Sequence, residues 1–194
     1  MRTIRLRPRT TYVSAVAINE LETTLESDSH ADTCCLGQGA LILQDYRTPV
    51  QVQGYDPSDG SKTYRVVTGA LAFDCPHTDR TYHLIIHQAV EIPNLPHHLL
   101  CPMQCRVNDV KVNDVPRFLT DNPTEETHAI VAQDEYDDTV VLLFALKGVT
   151  SYLPVRSLTQ DEYDRNEGTR VHLTNEHLNW DPSSDIYEQQ ENAT

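Results

Sequence analysis

Two carboxylates stand four residues apart in the sequence ESDSHADTCCLG, where Asp28 and Asp32 enclose Ser29, His30 and Ala31. A single carboxylate is a weak acid and a weak nucleophile at neutral pH. Two carboxylates held close together share one proton, because their negative charges would repel each other if both ionised. One carboxylate then acts as base while the other acts as acid. Such a pair activates a water molecule for attack on a peptide carbonyl. The segment therefore indicates either a polar turn or part of a hydrolytic site.

The elements around this segment would have to position the acids. ETTLES (residues 22–27) alternates roughly and predicts a strand that ends at Asp28. Further along, residues 54–62 (GYDPSDGSK) carry a strong turn signal, since Pro57 fixes one dihedral angle and Asp59-Gly60 suits a tight turn with positive φ. PVQVQGY before this turn and TYRVVTGALAF after it predict a long hairpin over residues 50–73.

The remaining signals are mainly those of short strands. TYVSAVAI, RTYHLIIHQAVEI and DVKVND predict strands, and CPMQCRV predicts a short helix with Pro102 in its first turn. After Pro116, Asn122 is a candidate N-cap ahead of Pro123, which predicts a helix start. DTVVLLFALKGVTSYLPV predicts two strands around Gly148. Thr159 and Glu162 also have the spacing of a capping box.

Composition excludes several classes of function. The formal net charge of −14 over 194 residues argues against nucleic acid as a direct partner, because phosphate binding needs clustered Lys and Arg. No apolar run approaches the roughly 18 residues of a membrane span, and no secretory signal is expected. Five cysteines, two of them adjacent, favour a reduced, intracellular, cytoplasmic setting over a disulfide framework.

The acid-bearing segment, DSHADT, resembles the D-S/T-G-A turn of retroviral-type aspartic proteases. The hairpin turn at Asp59-Gly60 stands where that family has its substrate-covering flap, and VVTGALAF stands where the flap returns. Residues 82–104 (YHLIIHQAVEIPNLPHHLLCPMQ) are similar to copia-type retrotransposon proteases. In those proteins an aliphatic strand, a V-x-x-P-x-L bend and an L-L-S-x-x-Q-L helix occur in this order.

The resemblance implies a mostly β, retropepsin-like closed barrel with a flap hairpin, one short helix and a small C-terminal α+β segment. It implies an aspartic endopeptidase of a retrotransposon polyprotein that acts as a homodimer. The expected location is the cytoplasm, where a virus-like particle could enclose the enzyme. Asp28 would be the catalytic acid of each subunit, and Ser29 would brace the carboxylates. The substrate, a polyprotein peptide, would contact the residues of the turn and the flap: His30, Ala31, Asp32, Tyr55, Asp59 and Gly60. No cofactor or metal is required.

The same resemblance divides the chain. Residues 1–19 would form N-terminal lead strands, and residues 20–115 the protease domain. Residues 116–180 would form an α+β extension, which is similar to the segment that follows the protease in copia-like polyproteins of some eukaryotic microbes. Residues 181–194 predict a disordered acidic tail, because nothing there indicates packed structure.

Three alternatives stay open. His30 replaces the family's glycine, so the fold is either active with an imidazole there or an inactive structural and dimerisation module. Asp32 is either part of the site or an ordinary solvated acid. A metal-binding module would draw on Cys75, His77 and nearby Cys and His residues, but these lack zinc-knuckle spacing. Asp138, in DTV, is interpreted as an acid that leads a strand.

Overall fold

The computed structural model describes residues 22–53 and 60–193, and these are mostly β-structure, as the sequence predicts. The predicted lead strands of residues 1–19 and the centre of the predicted flap lie outside the described residues. The strands are β1 Glu22–Ser27, β2 Cys35–Leu36, β3 Leu41–Gln53, β4 Ser61–Cys75, β5 Arg80–Glu91, β6 His98–Leu100, β7 Lys111–Asn113, β8 Ala129–Gln133, β9 Thr139–Leu143, β10 Ala145–Lys147, β11 Thr150–Arg156 and β12 Thr169–His172. The helices are α1 Pro102–Arg106, α2 Gln160–Asp164 and α3 Ile186–Asn192, with a 3-10 helix at Arg117–Leu119.

The larger sheet carries its strands in the order β10-β11-β1-β6-β2-β5-β4-β3, and β12 pairs with β5 off this path. β11 also pairs with β4, at Arg156 and Ala72, so the strands from β11 to β4 close into a ring. The central strand β5 is buried from Tyr82 to His87 without alternation, because it has neighbours on both edges and packed layers on both faces.

The long hairpin forms as predicted and is longer than the sequence indicated. β3 and β4 are antiparallel from Leu41–Ala70 out to Gln53–Ser61, with two irregularities in register. β4 is buried from Val67 to Phe73, whereas its first half is exposed or half-buried. The hairpin therefore has a core half and a half that projects beyond the core.

The chain after Pro116 shares the core of the chain before it. A small antiparallel sheet, β7-β8-β9, packs beside the larger one, and β11 lies along β1 from Glu22–Arg156 to Glu26–Tyr152. The apolar side chains of the small sheet join those of the larger sheet in one buried cluster, which includes Leu25, Leu84, Ile130, Leu142 and Leu173. His128 ties the two sheets by a hydrogen bond of 2.9 Å between its Nε2 and Ser151 Oγ.

Local signals succeed where no competing partner exists. Pro102 stands at the first position of α1, and Thr159 and Glu162 form the predicted capping box of α2. The strands around Gly148 also form, with a further break at Phe144.

One local prediction is wrong. No helix starts at Asn122: the Thr124 N–H donates to Thr127 Oγ1 at 2.8 Å, and the residues that would continue a helix pair as β8 with strands on both sides. In the segment predicted to be a disordered tail, the structure has α3, with the Tyr187 ring 5.7 Å from that of Trp180.

Buried histidines give the fold a dependence on pH. His98 is fully buried, and its Nδ1 accepts a hydrogen bond of 3.0 Å from the Gly37 N–H. Burial, with a smaller contribution from His97, lowers the pKa of His98 from 6.5 to about 4. The unfolded chain therefore takes up this proton first on acidification. The stability that neutral His98 contributes is complete above about pH 6.5 and is lost as the pH falls toward 4.

We predict that His98→Asn reduces the acid sensitivity of the protein, because Asn retains an acceptor for the Gly37 N–H and cannot titrate. In urea unfolding, the wild type should lose about 2–3 kcal/mol more than the variant between about pH 7 and pH 4.5. His177→Asn is the matched control, since the His177 side chain is 88% exposed. Equal acid losses for all three proteins would contradict the assignment to His98.

Candidate active site

The predicted catalytic segment forms a sharp turn between β1 and β2, here called the acid turn (residues 28–34). The Asp28 N–H continues the pairing of β1 by donating to Leu100 O at 3.0 Å, and the Ala31 N–H donates to Asp28 O at 3.3 Å. The His30 N–H donates to Asp28 Oδ1 at 2.9 Å. One carboxylate oxygen is thus held by the backbone of its own turn, and the half-buried side chain is fixed in direction.

Both ends of the acid turn are fixed on the same short strand. β1 runs parallel to β6, with Ser27 opposite Leu100, and β2 runs antiparallel to β6, with Cys35 opposite Leu99. β6 therefore lies between the two strands that the turn connects. Directly after β2, a Cβ on Gly37 would lie 2.2 Å from His97 O, so only glycine permits this close approach to the chain that leads into β6.

The side chain of Gln104, on α1, holds the end of the acid turn by hydrogen bonds. This side chain is 3% exposed; Oε1 accepts from the Cys34 N–H at 2.8 Å, and Nε2 donates to His87 O and Gln88 O, both at 3.3 Å. The amide thereby joins the end of the acid turn to the centre of β5. Cys34 itself accepts a bond from the Cys101 N–H through Sγ at 3.2 Å.

An open cleft of about 1030 Å³ lies beside the acid turn. The hairpin strands β3 and β4, strand β5, the bend before β6 and residues 179–182 contribute to its wall. The aliphatic side chains that line it are Val50, Val52, Val66, Val90, Ile92 and Leu99. A carboxylate in the wall of an open, mainly apolar cleft is placed to act on a ligand with apolar groups.

The structure places the predicted site residues as follows. Four of them line the cleft: Asp28, His30, Ala31 and Asp32. Gly60 is exposed at the start of β4, with φ +71°, as the tight turn requires. Tyr55 and Asp59 lie outside the described residues.

Ser29 does not brace Asp28 within one chain. Its side chain is exposed, and its Oγ lies 3.5 Å from Nδ1 of His30, which is exposed as well. The predicted bracing role therefore depends on a neighbour outside this chain.

Sequence reasoning missed several residues of the cleft. Tyr46 lines it from β3, and its hydroxyl lies 2.8 Å from Thr68 Oγ1. Gln88 and Trp180 also line it, although 92 positions separate them in the chain. Trp180 had only a weak sequence signal, as the one tryptophan next to an acidic tail.

The other candidate chemistries lack support among the described residues. Burial raises the pKa of the Cys35 thiol to about 12 and that of Cys101 to about 11, so neither supplies a thiolate nucleophile at neutral pH. In residues 22–53 and 60–193, no group of three or more His, Cys, Asp or Glu is placed to hold a metal ion. Asp138 leads β9 in the separate three-stranded sheet, where its N–H donates to Asp134 Oδ1 at 3.0 Å.

No helix formed by the described residues is long and apolar enough to cross a membrane.

Comparison with protein-family models, with curated proteins and with solved structures finds no match to this chain. The geometry of the acid turn and its cleft is therefore the basis for assigning a function.

We predict that Gln104→Leu destabilises the protein by about 3 kcal/mol, because it leaves the buried Cys34 N–H without its acceptor and removes the donor to His87 O and Gln88 O. Urea unfolding measures the loss. Met103→Leu, a neighbouring change on the same helix at a side chain that is 45% exposed, should have little effect. Equal stabilities of the two variants would show that Gln104 does not hold the turn.

Proposed function

We propose that this chain is an aspartic endopeptidase that acts as a homodimer and processes the polyprotein of a copia-type retrotransposon. One observation carries the proposal: Asp28, at a sharp turn after β1 and held by a backbone N–H, lines an open cleft whose wall includes six Val, Ile and Leu side chains. This is what the resemblance of DSHADT to the retroviral-type catalytic turn requires of the acid.

The cleft suits an extended peptide. Strands β3 and β4 contribute to its wall, which combines aliphatic side chains with polar ones such as Thr48, Gln51 and Asn179. Such a wall takes up apolar side chains of a substrate by removing their surface from water.

The second carboxylate would come from a second copy of the chain. Asp28 is half-buried and its neighbours Ser29 and His30 are exposed, so a two-fold axis beside the turn could bring two copies of Asp28 together. Ser29 of each subunit would then lie beside the paired turns, where its hydroxyl can brace them. Asp32 and Asp181 line the same cleft, but the retroviral-type resemblance implies the second copy of Asp28 as the catalytic partner.

The chemistry follows from one proton shared by the pair. The ionised carboxylate takes a proton from water, whose oxygen attacks the peptide carbonyl carbon, while the protonated carboxyl gives its proton to the carbonyl oxygen. Collapse of the resulting tetrahedral diol, with transfer of a proton to the leaving nitrogen, releases an acid and an amine. The pair must hold one proton, so activity should be greatest at mildly acidic pH.

His30 is compatible with this site. Its backbone does not adopt the left-handed conformation that favours glycine, and its N–H supplies the bond to Asp28. The imidazole is exposed and lines the cleft with Asp28. The alternative, an inactive dimerisation module, follows from the same exposure, since two imidazoles would meet near the two-fold axis.

We predict that Asp28→Asn lowers peptide cleavage at least about a hundredfold, because the pair loses its shareable proton. The measurement is cleavage of a proteome-derived peptide mixture at mildly acidic pH, read by mass spectrometry, with folding checked by circular dichroism. Asp138→Asn is the matched control and should cleave like the wild type. Equal cleavage by the Asp28 variant and the wild type would contradict the proposal.

The same assay with His30→Gly separates the two roles of the fold. Retained or higher activity would show that the imidazole only fills the place of glycine, and lower activity that the turn depends on it. Absence of cleavage in both the wild type and this variant would favour the inactive module.

A further inference from the structure

A segment near the C-terminus, here called the C-terminal clasp (residues 174–182), is built onto β5 by specific hydrogen bonds. Thr174 Oγ1 accepts from the His87 N–H at 2.7 Å and donates to His87 O at 2.9 Å. The next residue of β5, Gln88, has φ +53°, a conformation that is strained for a residue other than glycine. The pairing of β4 with β5 shifts register at this point, between Ile86 and Ala89, and the Gln88 side chain contacts the clasp.

The whole Gln88 amide is used to hold the clasp. Nε2 donates to Asn175 O at 3.1 Å and to Leu178 O at 2.6 Å, and Oε1 accepts from the Trp180 N–H at 2.8 Å. Three backbone groups of one segment thus converge on one side chain. A chance contact would not use both the donor and the acceptor of the Gln88 side-chain amide. These hydrogen bonds therefore fix the position of Trp180.

The clasp places Trp180 in contact with the acid turn. The indole Nε1–H lies 3.1 Å from both Asp32 O and Thr33 Oγ1, and the half-buried ring packs against the core. Trp180 and its neighbours Asp181 and Pro182 line the same cleft as Asp28. The indole is therefore part of the wall that a peptide bound at Asp28 would contact.

We propose that Trp180 is a specificity-determining residue of the cleft, whose indole receives an apolar side chain of the peptide substrate away from the scissile bond. The inference rests on the proposed function and adds the substrate class of the same site. Large aromatic side chains bury much apolar surface with little loss of conformational entropy, which suits this use. An acidic residue of the peptide would be disfavoured there, since Asp32 and Asp181 line the same part of the cleft.

The two-fold symmetry of the proposed dimer predicts where the preferred side chains lie in the substrate. A two-fold axis at Asp28 places one Trp180 on each side of the scissile bond. Preferred peptides should carry apolar side chains at positions the same number of residues before and after the cleaved bond.

The first test compares cleavage profiles of the peptide mixture for the wild type, Trp180→Phe and Trp180→Ala. With Trp180→Ala, we expect kcat/KM to fall about tenfold, through KM, for peptides that carry the paired apolar side chains, and to stay unchanged for other peptides. Trp180→Phe should keep most of the preference. Leu178→Ala is the control in the same segment, since Leu178 is 60% exposed and holds Gln88 through its backbone.

A uniform fall of Trp180→Ala on all peptides would mean a merely structural role and would overturn the inference. So would an unchanged profile.

The second test does not need turnover, because Trp180 is the only tryptophan of the chain. The best-cleaved peptide is titrated into the Asp28→Asn protein, and binding by calorimetry is compared with tryptophan emission. A saturable emission change at the calorimetric affinity supports the inference. Binding without an emission change overturns it while the protease stands. If the wild type cleaves no peptide, the proposed function fails, and this inference fails with it.

Discussion

The pairing of β1 is the constraint on which the rest of the structure depends. β1 is held on one edge by parallel pairing with β6 and on the other by antiparallel pairing with β11 over five residues. The last bond of this pairing, from the Asp28 N–H to Leu100 O, fixes where the chain leaves the sheet. The direction of the Asp28 carboxylate follows from that bond and from the His30 N–H. A shift of β1 by one residue would turn the acid to the other face of the sheet.

This constraint explains why the chain after Pro116 belongs to the site. β11 supplies one edge of the clamp on β1, β12 extends the sheet beside β5, and the residues after β12 reach the cleft at Trp180. The buried cluster runs through all these elements. The extension thus supports the acid turn from outside the cleft and completes the cleft wall.

The parts of the fold that the sequence predicts are those with local causes. Pro102 sets the start of α1, the capping box of Thr159 sets α2, and the β-branched and tyrosine residues after Gly60 set the hairpin return. The acid turn also follows from local sequence, because the residue types and spacing of DSHADT predict a polar turn after a strand. The support of the turn is not: Gln104 and its partner Cys34 are 70 positions apart, and nothing local marks the bond between them. The helix expected at Asn122 fails for the same reason, since pairing of β8 on both edges overrides a good cap.

The central claim is that two copies of Asp28, one from each subunit, form the catalytic pair. Its most direct test mixes wild-type and Asp28→Asn chains by joint refolding at constant total concentration and measures peptide cleavage against the wild-type fraction. If each active unit needs Asp28 from both chains, activity falls as the square of that fraction, to about one quarter in an equal mixture. Activity that falls in direct proportion, to about one half, would show that each chain acts alone and would contradict the account.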